Sequence, residues 1–545
     1  MARRDEGATG ITQRDRVKTD LFVSRDGSMV DASGNVVGLT AAQLAATQAL
    51  VSADGIPQRV FLLGDSLTMR QFRSVASGTP TVSGTDVTIT NFTGGALPPP
   101  GAYVRTINQA DTALNIDVPV VSGTGTTCTV RYPFDVTGRM GASWSGSTYG
   151  ITNDTGWWNY AEAELAALGY PVQVVRNAGD GGDTLAQIKA RIATEITPYA
   201  RLGDIVAFMG GVNGAGTSTD DSLDESTAAD VIAQLKLIFD ELLAIPGITV
   251  LASTITQAEA SGYWSTSAST AIANTKAANG YIRGRCLSEA RMRCFDSYAA
   301  LGGSDYSADV AAFAAPTNDG IHFLSSGAEK VGQRLVDDCI AVFRKSSFRR
   351  VLSTQDAYAD SSSWNLLTNP EFTGATGTTA PTGWTGSLGS GTNSLTLTAR
   401  SDGIGNDLSI SKDHSAANGG SLTQDITSRV TAGSLLAFGI EYETTAVSTS
   451  HYWRLSLEFD VGGVTYSYRI NNNQHTYQNG GRLPPTGVRR FFECYGHRNL
   501  NGREGCLVPA GFTAARLVLA WQLGANSAGT PMVFTVARPQ VYRIA

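Results

Sequence analysis

The chain is predicted to be an α/β protein: a three-layer parallel-sheet domain with a small inserted β domain, followed by an all-β sandwich. Three observations predict it. Val60-Phe61-Leu62-Leu63 is an unbroken apolar run that stops at Gly64-Asp65-Ser66-Leu67, the pattern of a strand buried on both faces and ended by a turn. From about 157 to 343, short apolar runs alternate with helical periods, as a parallel sheet covered by helices requires. After Trp364 the helical period disappears and two-residue alternation replaces it.

Residues 1–57 read as an N-terminal connector or assembly segment. Within it, Leu21-Phe22-Val23 and Met29-Val30 flank Arg25-Asp26-Gly27, a hairpin signal, and a short Ala/Leu helix is expected at about 40–50. The α/β domain is expected over 58–350. Val87-Thr88-Ile89-Thr90 and Leu114-Asn115-Ile116-Asp117-Val118 alternate with period two, so about 75–139 reads as the β insertion, with Pro98-Pro99-Pro100 in one of its loops. A helix is expected at 157–168, stopped by Gly169. The strand 172–175 runs into Gly179-Asp180-Gly181-Gly182-Asp183-Thr184, and 185–196 is helical. The strand 204–209 runs into Gly210-Gly211-Val212-Asn213-Gly214. Val231, Ile232, Leu235, Ile238, Phe239 and Leu242 make one apolar helical stripe. Strands at 248–252 and 292–295 follow, with an Ala-rich helix between them. Asp319-Gly320-Ile321-His322 precedes the last helix, for which Ser326-x-x-Glu329 offers a capping box. Residues 351–363 read as a polar linker and 364–545 as the β-sandwich. There, Asp460-Val461-Gly462-Gly463 turns one alternating run back on the next.

A chain of 545 residues exceeds what one core organises. The net charge of −7 leaves no basic footprint for nucleic acid, and no apolar run approaches the roughly 20 residues of a membrane helix, so neither partner is expected. Met1-Ala2-Arg3-Arg4-Asp5-Glu6 has no apolar stretch behind it, so no secretory signal peptide is expected. Cys128, Cys286, Cys294, Cys339, Cys494 and Cys506 show no metal-ligand spacing. Buried free thiols are expected, with a Cys494–Cys506 pair as the alternative. No metal and no cofactor is expected.

In an open α/β sheet, ligands bind outside the carboxyl ends of the strands. Ser66 offers a hydroxyl there, a weak nucleophile until a base takes its proton. His322 can be that base, and it is the only histidine before His414. Asp319, three residues earlier, can orient the ring and stabilise the imidazolium. Gly182 can offer a bare backbone N–H and Asn213 a side-chain amide, which with the Ser66 N–H would form an oxyanion hole. Tyr263 and Trp264 fall in a Gly/Ser/Thr-rich loop at the same edge, where an aromatic platform for the flat face of a sugar ring is one reading. Packing of Trp264 beneath its own loop is the other.

At these residues the chain resembles the SGNH, or GDSL, hydrolase family of serine esterases. The four family blocks match in order as Gly64-Asp65-Ser66-Leu67, Gly182, Gly211-x-Asn213 and Asp319-x-x-His322, over about 58–74 and 140–345. The resemblance implies a three-layer SGNH hydrolase domain, with Ser66 as nucleophile, His322 as base and Asp319 as its orienter. It also implies Ser66, Gly182 and Asn213 as oxyanion donors. Two departures stand out. Gly214 replaces the aspartate that usually ends the third block, and the β insertion stands where a helix usually follows the first. The insertion implies a wall over the active site and hence a particular substrate. Asn365-Leu366-Leu367-Thr368-Asn369-Pro370-Glu371-Phe372, followed by Gly383-Trp384, is similar to the opening of carbohydrate-binding jelly-roll modules. Ala537-Arg538-Pro539-Gln540-Val541 is similar to the last strand of such modules on phage tail proteins. A sandwich used only for packing or trimerisation is the alternative.

Together these resemblances imply a serine esterase that removes O-acetyl or other acyl groups from a bacterial surface polysaccharide, within a phage tail spike or receptor-binding protein. The implied location is the virion tail. The implied partners are the acylated polysaccharide, other tail proteins through the N-terminal segment, and further copies of the chain in a trimer. A lipase or thioesterase is the rival enzyme, against which stands the lack of a long apolar lid helix. A glycan-binding adhesin with a silent α/β unit is the rival from another class, against which stands the complete Ser/His/Asp set.

Overall fold

Strand β1 (Gln58–Gly64) is buried along its whole length, as its branched apolar run requires of a strand with neighbours on both sides. In the computed structural model it lies in a five-stranded, all-parallel sheet with β2 (Val172–Gly179), β3 (Ile205–Met209), β4 (Thr249–Ser253) and β5 (Met292–Phe295). The order is β2-β1-β3-β4-β5. The structure describes three two-residue strands within 1–57. From 58 to 544 it describes all residues except 70–74, 94–98, 107–108, 110, 125, 149–150, 154–155, 216–226, 257–267, 305, 307–316, 318–319, 346–356, 358, 361–362, 389–392, 413–417, 447–450, 474–488, 495–504 and 524–531.

The strand order reverses at β1, which is the switch point of a doubly wound sheet. Right-handed crossovers then send the helix before β2 to one face and those between β2 and β5 to the other, and the helix after β5 returns to the first. Accordingly α1 (Trp157–Ala167) packs on α5 (Ser325–Cys339), while α2 (Leu185–Arg191), α3 (Ala228–Ala244) and α4 (Ala268–Ser288) pack in a row. Helix α1 ends as its glycine predicts: Gly169 has φ +86°, its N–H donates to Ala166 O at 3.2 Å, and the Tyr170 N–H donates to Leu165 O at 2.8 Å. In α3, Val231, Leu235, Ile238, Phe239 and Leu242 are buried, whereas Ile232 is half-buried. The helix start expected at Ser326 falls at a different residue. Helix α5 starts at Ser325, its N-cap is Leu324 without a side-chain cap, and Ser326 therefore lies inside the first turn.

The insertion is a closed six-stranded barrel of Val75–Ser83, Asp86–Thr93, Tyr103–Thr106, Asp117–Gly123, Thr127–Arg131 and Trp144–Thr148. Its last strand pairs with both the first and the third, so the insertion runs past the expected end at about 139. Closure removes the edge that an open sheet would expose. Val87, Ile89, Val104, Val118, Val120, Cys128, Val130 and Trp144 fill the interior.

The C-terminal region is two antiparallel sheets, the sandwich expected from the alternation. The hairpin of His451–Val461 with Val464–Asn473 turns on Gly462 and Gly463, at φ +57° and +82°. Both are left-handed, as a two-residue turn matched to strand twist requires. The strand Met532–Arg543 bulges at Arg538-Pro539, and Arg538 folds into an ionic cluster with Asp402 and Glu441. Cys494 and Cys506 are buried and not joined in a disulfide; Cys128, Cys286 and Cys339 are likewise buried and Cys294 half-buried, each outside any disulfide.

The sandwich is fused to the α/β unit. Ile151–Asn153 pairs in parallel with Arg469, Ile470 and Asn471, adding a strand to one of its sheets. Tyr160 of α1 meets Phe492 edge-on at 6.4 Å, and the Tyr466 hydroxyl donates to Gly123 O of the barrel at 3.1 Å. One hydrophobic core runs from β1 into both sandwich sheets. In the N-terminal segment, Phe22–Val23 pairs antiparallel with Met29–Val30, and Val36–Val37 adds a third strand. The helix expected at about 40–50 lies outside the described residues. Among the described residues no helix is long and apolar enough to cross a membrane.

Candidate active site

β1 ends at Gly64, and only glycine fits there. A Cβ would stand 1.7 Å from Met209 O and 2.4 Å from Thr68 Oγ1, because β1 and β3 meet in register at Gly64 and Met209. Asp65 follows, fully buried, and Ser66 opens the one-turn helix Ser66–Met69. Asp65 Oδ1 accepts from the Leu67 N–H at 3.0 Å, and its Oδ2 accepts from the Gly211 N–H at 3.0 Å. Thr68 Oγ1 donates to Met209 O at 2.8 Å. Asn177 Nδ2 donates to Thr68 O at 3.0 Å, and its Oδ1 accepts from the Gly179 N–H at 2.9 Å. The serine turn is thus fastened to the ends of both neighbouring strands. Burial pushes the Asp65 carboxyl up to about 7, against the N–H bonds of Leu67, Gly211 and Val212, which pull it down.

Ser66 is nearly buried, and its Oγ lies 2.9 Å from His322 Nε2. The histidine sits three residues before α5. Its neighbours Ile321 and Phe323 are buried, and Phe323 bridges to Thr317, so the imidazole is half-buried between two anchors. Asp319 lies outside the described residues.

β2 runs into Asp180-Gly181-Gly182-Asp183, and Thr184 then starts α2 with a reciprocal capping box to Gln187. Gly182 has φ +83° and open space where a Cβ would be, so its backbone conformation rather than crowding favours glycine. β3 runs into Gly210-Gly211 and the short helix Val212–Ala215, which includes Gly214. Asn213 is buried, and its Nδ2 donates to Asp183 O at 2.9 Å. The Asn213 amide is therefore pinned to the residue that follows Gly182. Burial pushes the Asp183 carboxyl up to about 6, and Arg191 beside it pulls the other way. The Arg191 guanidinium bonds Asp183 and two strand-end carbonyls.

The structure thus brings Ser66 to His322, and Asn213 to the Gly182 turn, with Asp65 joining the serine turn to Gly211. Tyr263 and Trp264 lie outside the described residues. Asp65 and Arg191 were not singled out from sequence. The first reads as part of a turn, and the second bonds mainly backbone carbonyls, which leave no side-chain pattern. A serine hydroxyl at 2.9 Å from an imidazole nitrogen can pass its proton to the ring as it attacks a carbonyl. Among the described residues no group of three or more His, Cys, Asp or Glu is arranged to hold a metal ion.

No family model matches the sequence, and no curated protein does. Among solved structures, the chain is similar to a lipase/acylhydrolase from Enterococcus faecalis, at 16% identity and a TM-score of 0.31 over 53% of this chain and 99% of that one. It is similar to the acetylxylan esterase Axe2 from Geobacillus stearothermophilus, at 14% identity and 0.29 over 54% and 99%. It is also similar to the carbohydrate-binding module TmCBM61 in complex with β-1,4-galactotriose, at 15% identity and 0.21 over 33% and 98%.

Proposed function

We propose that the chain is a serine esterase that removes acyl groups, O-acetyl above all, from a bacterial surface polysaccharide. The observation that carries the proposal is the 2.9 Å approach of Ser66 Oγ to His322 Nε2 at the carboxyl edge of the parallel sheet. Ser66 attacks the ester carbonyl while His322 takes its proton, and Asp319 orients the ring. The carbonyl oxygen becomes an oxyanion, held by the N–H groups of Ser66 and Gly182 and by the Asn213 amide. Collapse expels the sugar oxygen, which takes the proton back from the imidazolium. Water, deprotonated by the same ring, then attacks the acyl-serine and releases the carboxylate.

The glycan side of the reading is supported by the jelly-roll-like sandwich fused to the enzyme and by the barrel inserted directly behind the serine turn. Tyr263 and Trp264 are proposed as the sugar platform. The order of segments, connector, esterase and sandwich, supports a place in a phage tail spike or receptor-binding protein. There the chain would act as a trimer on the host surface, joined to other tail proteins by residues 1–57.

The test is acetate release, read by mass spectrometry, from a panel of acetylated bacterial polysaccharides, with phosphonate labelling of Ser66 alongside. Ser66→Ala should lose turnover by roughly 10⁴-fold or more. Undiminished hydrolysis in that variant overturns the serine mechanism. Hydrolysis of p-nitrophenyl acetate without release from any polysaccharide keeps the esterase and removes the glycan.

A further inference from the structure

We infer that Arg191 is a positioning residue of the oxyanion site, a single guanidinium that holds the Ser66 turn and the Gly182–Asn213 donors in fixed relation. The inference rests on the serine-esterase reading. Arg191 is the last residue of α2. Side chains on a helix lean toward its N-terminus, so a residue in the last turn reaches back over the helix start. At that start lie the turn after β2 and, beside it, the end of β1.

The guanidinium meets three acceptors there. Nε donates to Asp183 Oδ2 at 2.8 Å, Nη2 donates to Gly64 O at 2.9 Å, and Nη1 donates to Ala178 O. Gly64 directly precedes Asp65-Ser66. Ala178 lies at the end of β2. Asp183 supplies the carbonyl on which the Asn213 amide hangs at 2.9 Å. One planar fork therefore links the nucleophile strand, the Gly182 strand and, through Asp183, the Asn213 turn. Both side chains of the Arg191–Asp183 pair are 14% exposed, so the bonds are largely shielded from water. An arginine suits this place because its donors are set in one rigid plane, whereas a lysine ammonium is a point charge on a flexible stem.

The β1–β3 ladder and the buried strands do not depend on this side chain. Gly64 O also keeps the Asp180 N–H at 3.2 Å. Loss of Arg191 should therefore slacken the donor geometry while the sheet stays in place. A misplacement on the order of 1 Å at a reacting centre costs about 10²-fold. Because Arg191 acts through the carbonyls and Asp183, the loss should appear in transition-state binding and not in ground-state binding.

The experiment compares the full chain with Arg191→Met and Arg191→Lys. It measures kcat and KM for p-nitrophenyl acetate, and the affinity for an alkyl boronic acid, which adds to the serine as a tetrahedral anion. Arg191→Met should lower kcat by about 10–10²-fold with KM within about twofold, and boronate affinity should fall by a similar factor. Arg191→Lys should fall between the two. A folded Arg191→Met with wild-type kcat overturns the inference, as does a kcat loss that leaves boronate affinity unchanged, or a change in KM alone. If Arg191→Met does not fold, Arg191→Lys decides by the same criteria. If the wild type neither hydrolyses the ester nor binds boronate, the esterase reading itself falls. If wild type and variants do both equally well, only the role of Arg191 falls.

Discussion

Replacing Gly64 with alanine should damage the site through the backbone. The new Cβ would begin 1.7 Å from Met209 O and 2.4 Å from Thr68 Oγ1, while real Cβ contacts stay above about 3.0 Å. β1 and β3 must therefore part by more than an ångström at their carboxyl ends. Overpacking of this kind costs about 1–3 kcal/mol, and a collision with a ladder carbonyl belongs at the upper end. The same movement shifts Asp65-Ser66 relative to Gly211-Val212-Asn213, since Asp65 Oδ2 holds the Gly211 N–H at 3.0 Å. A shift of about 1 Å is expected to cost kcat about 10²-fold. Gly203→Ala, at a left-handed glycine (φ +86°) away from the site, is the control. Nothing lies within 4 Å of its Cβ, so its cost is the left-handed backbone alone, about 1–2 kcal/mol. The assay is ester turnover with thermal melts of both variants. Gly64→Ala with unchanged kcat and melting temperature would refute the claim that the β1–β3 contact sets the position of Ser66.

Asn213→Ala should lower kcat by about 10²–10³-fold with KM nearly unchanged, because the amide mainly bonds developing charge, and a pure KM effect would assign it to ground-state binding instead. Asp65 gives a pH signature. Its carboxyl is raised from 3.8 to about 7, so the folded state holds the proton more tightly than the unfolded chain, and its contribution to stability is full below about 4 and lost as pH rises through about 7. The stability of wild type relative to Asp65→Asn, read by denaturant melts, should fall by on the order of a few kcal/mol across that window, and a pH-independent difference would contradict it. Deleting 364–545 uncovers Tyr160 and leaves Ile151–Asn153 unpaired, so the truncated chain should aggregate on size-exclusion chromatography. A monodisperse, active fragment would show that the sandwich is an independent module.

The parallel sheet was legible because burial on both faces leaves an uninterrupted apolar run, as at Val60-Phe61-Leu62-Leu63, and because Gly169 and the Gly462-Gly463 turn mark positions that need left-handed backbone. The approach of His322 to Ser66 was legible as well, since a lone histidine after the last sheet strand has few places to go. The fastening of the site was not. Asp65 and Arg191 bond backbone N–H and C=O groups of distant strands, and backbone groups carry no sequence signature. The closing barrel strand escaped for another reason: Trp144-Ser145-Gly146-Ser147-Thr148 has one large apolar residue, so no alternation shows. The fusion of the sandwich does carry a sequence signal. Trp157, Trp158 and Tyr160 occupy neighbouring positions on α1 and cannot all face one sheet, and every residue from 156 to 163 is buried.

The pairing of Ile151–Asn153 with Arg469, Ile470 and Asn471 also sets an order of events at the ribosome. At about 5–20 residues per second, the early strand waits on the order of tens of seconds for its late partner to be synthesised. Throughout that interval Tyr160 lacks the Phe492 ring that covers it, so the nascent chain exposes apolar surface of the kind chaperones bind. The Ile151–Asn153 pairing is completed only when most of the chain has emerged, and a message cut short before 469 is expected to leave it unmade.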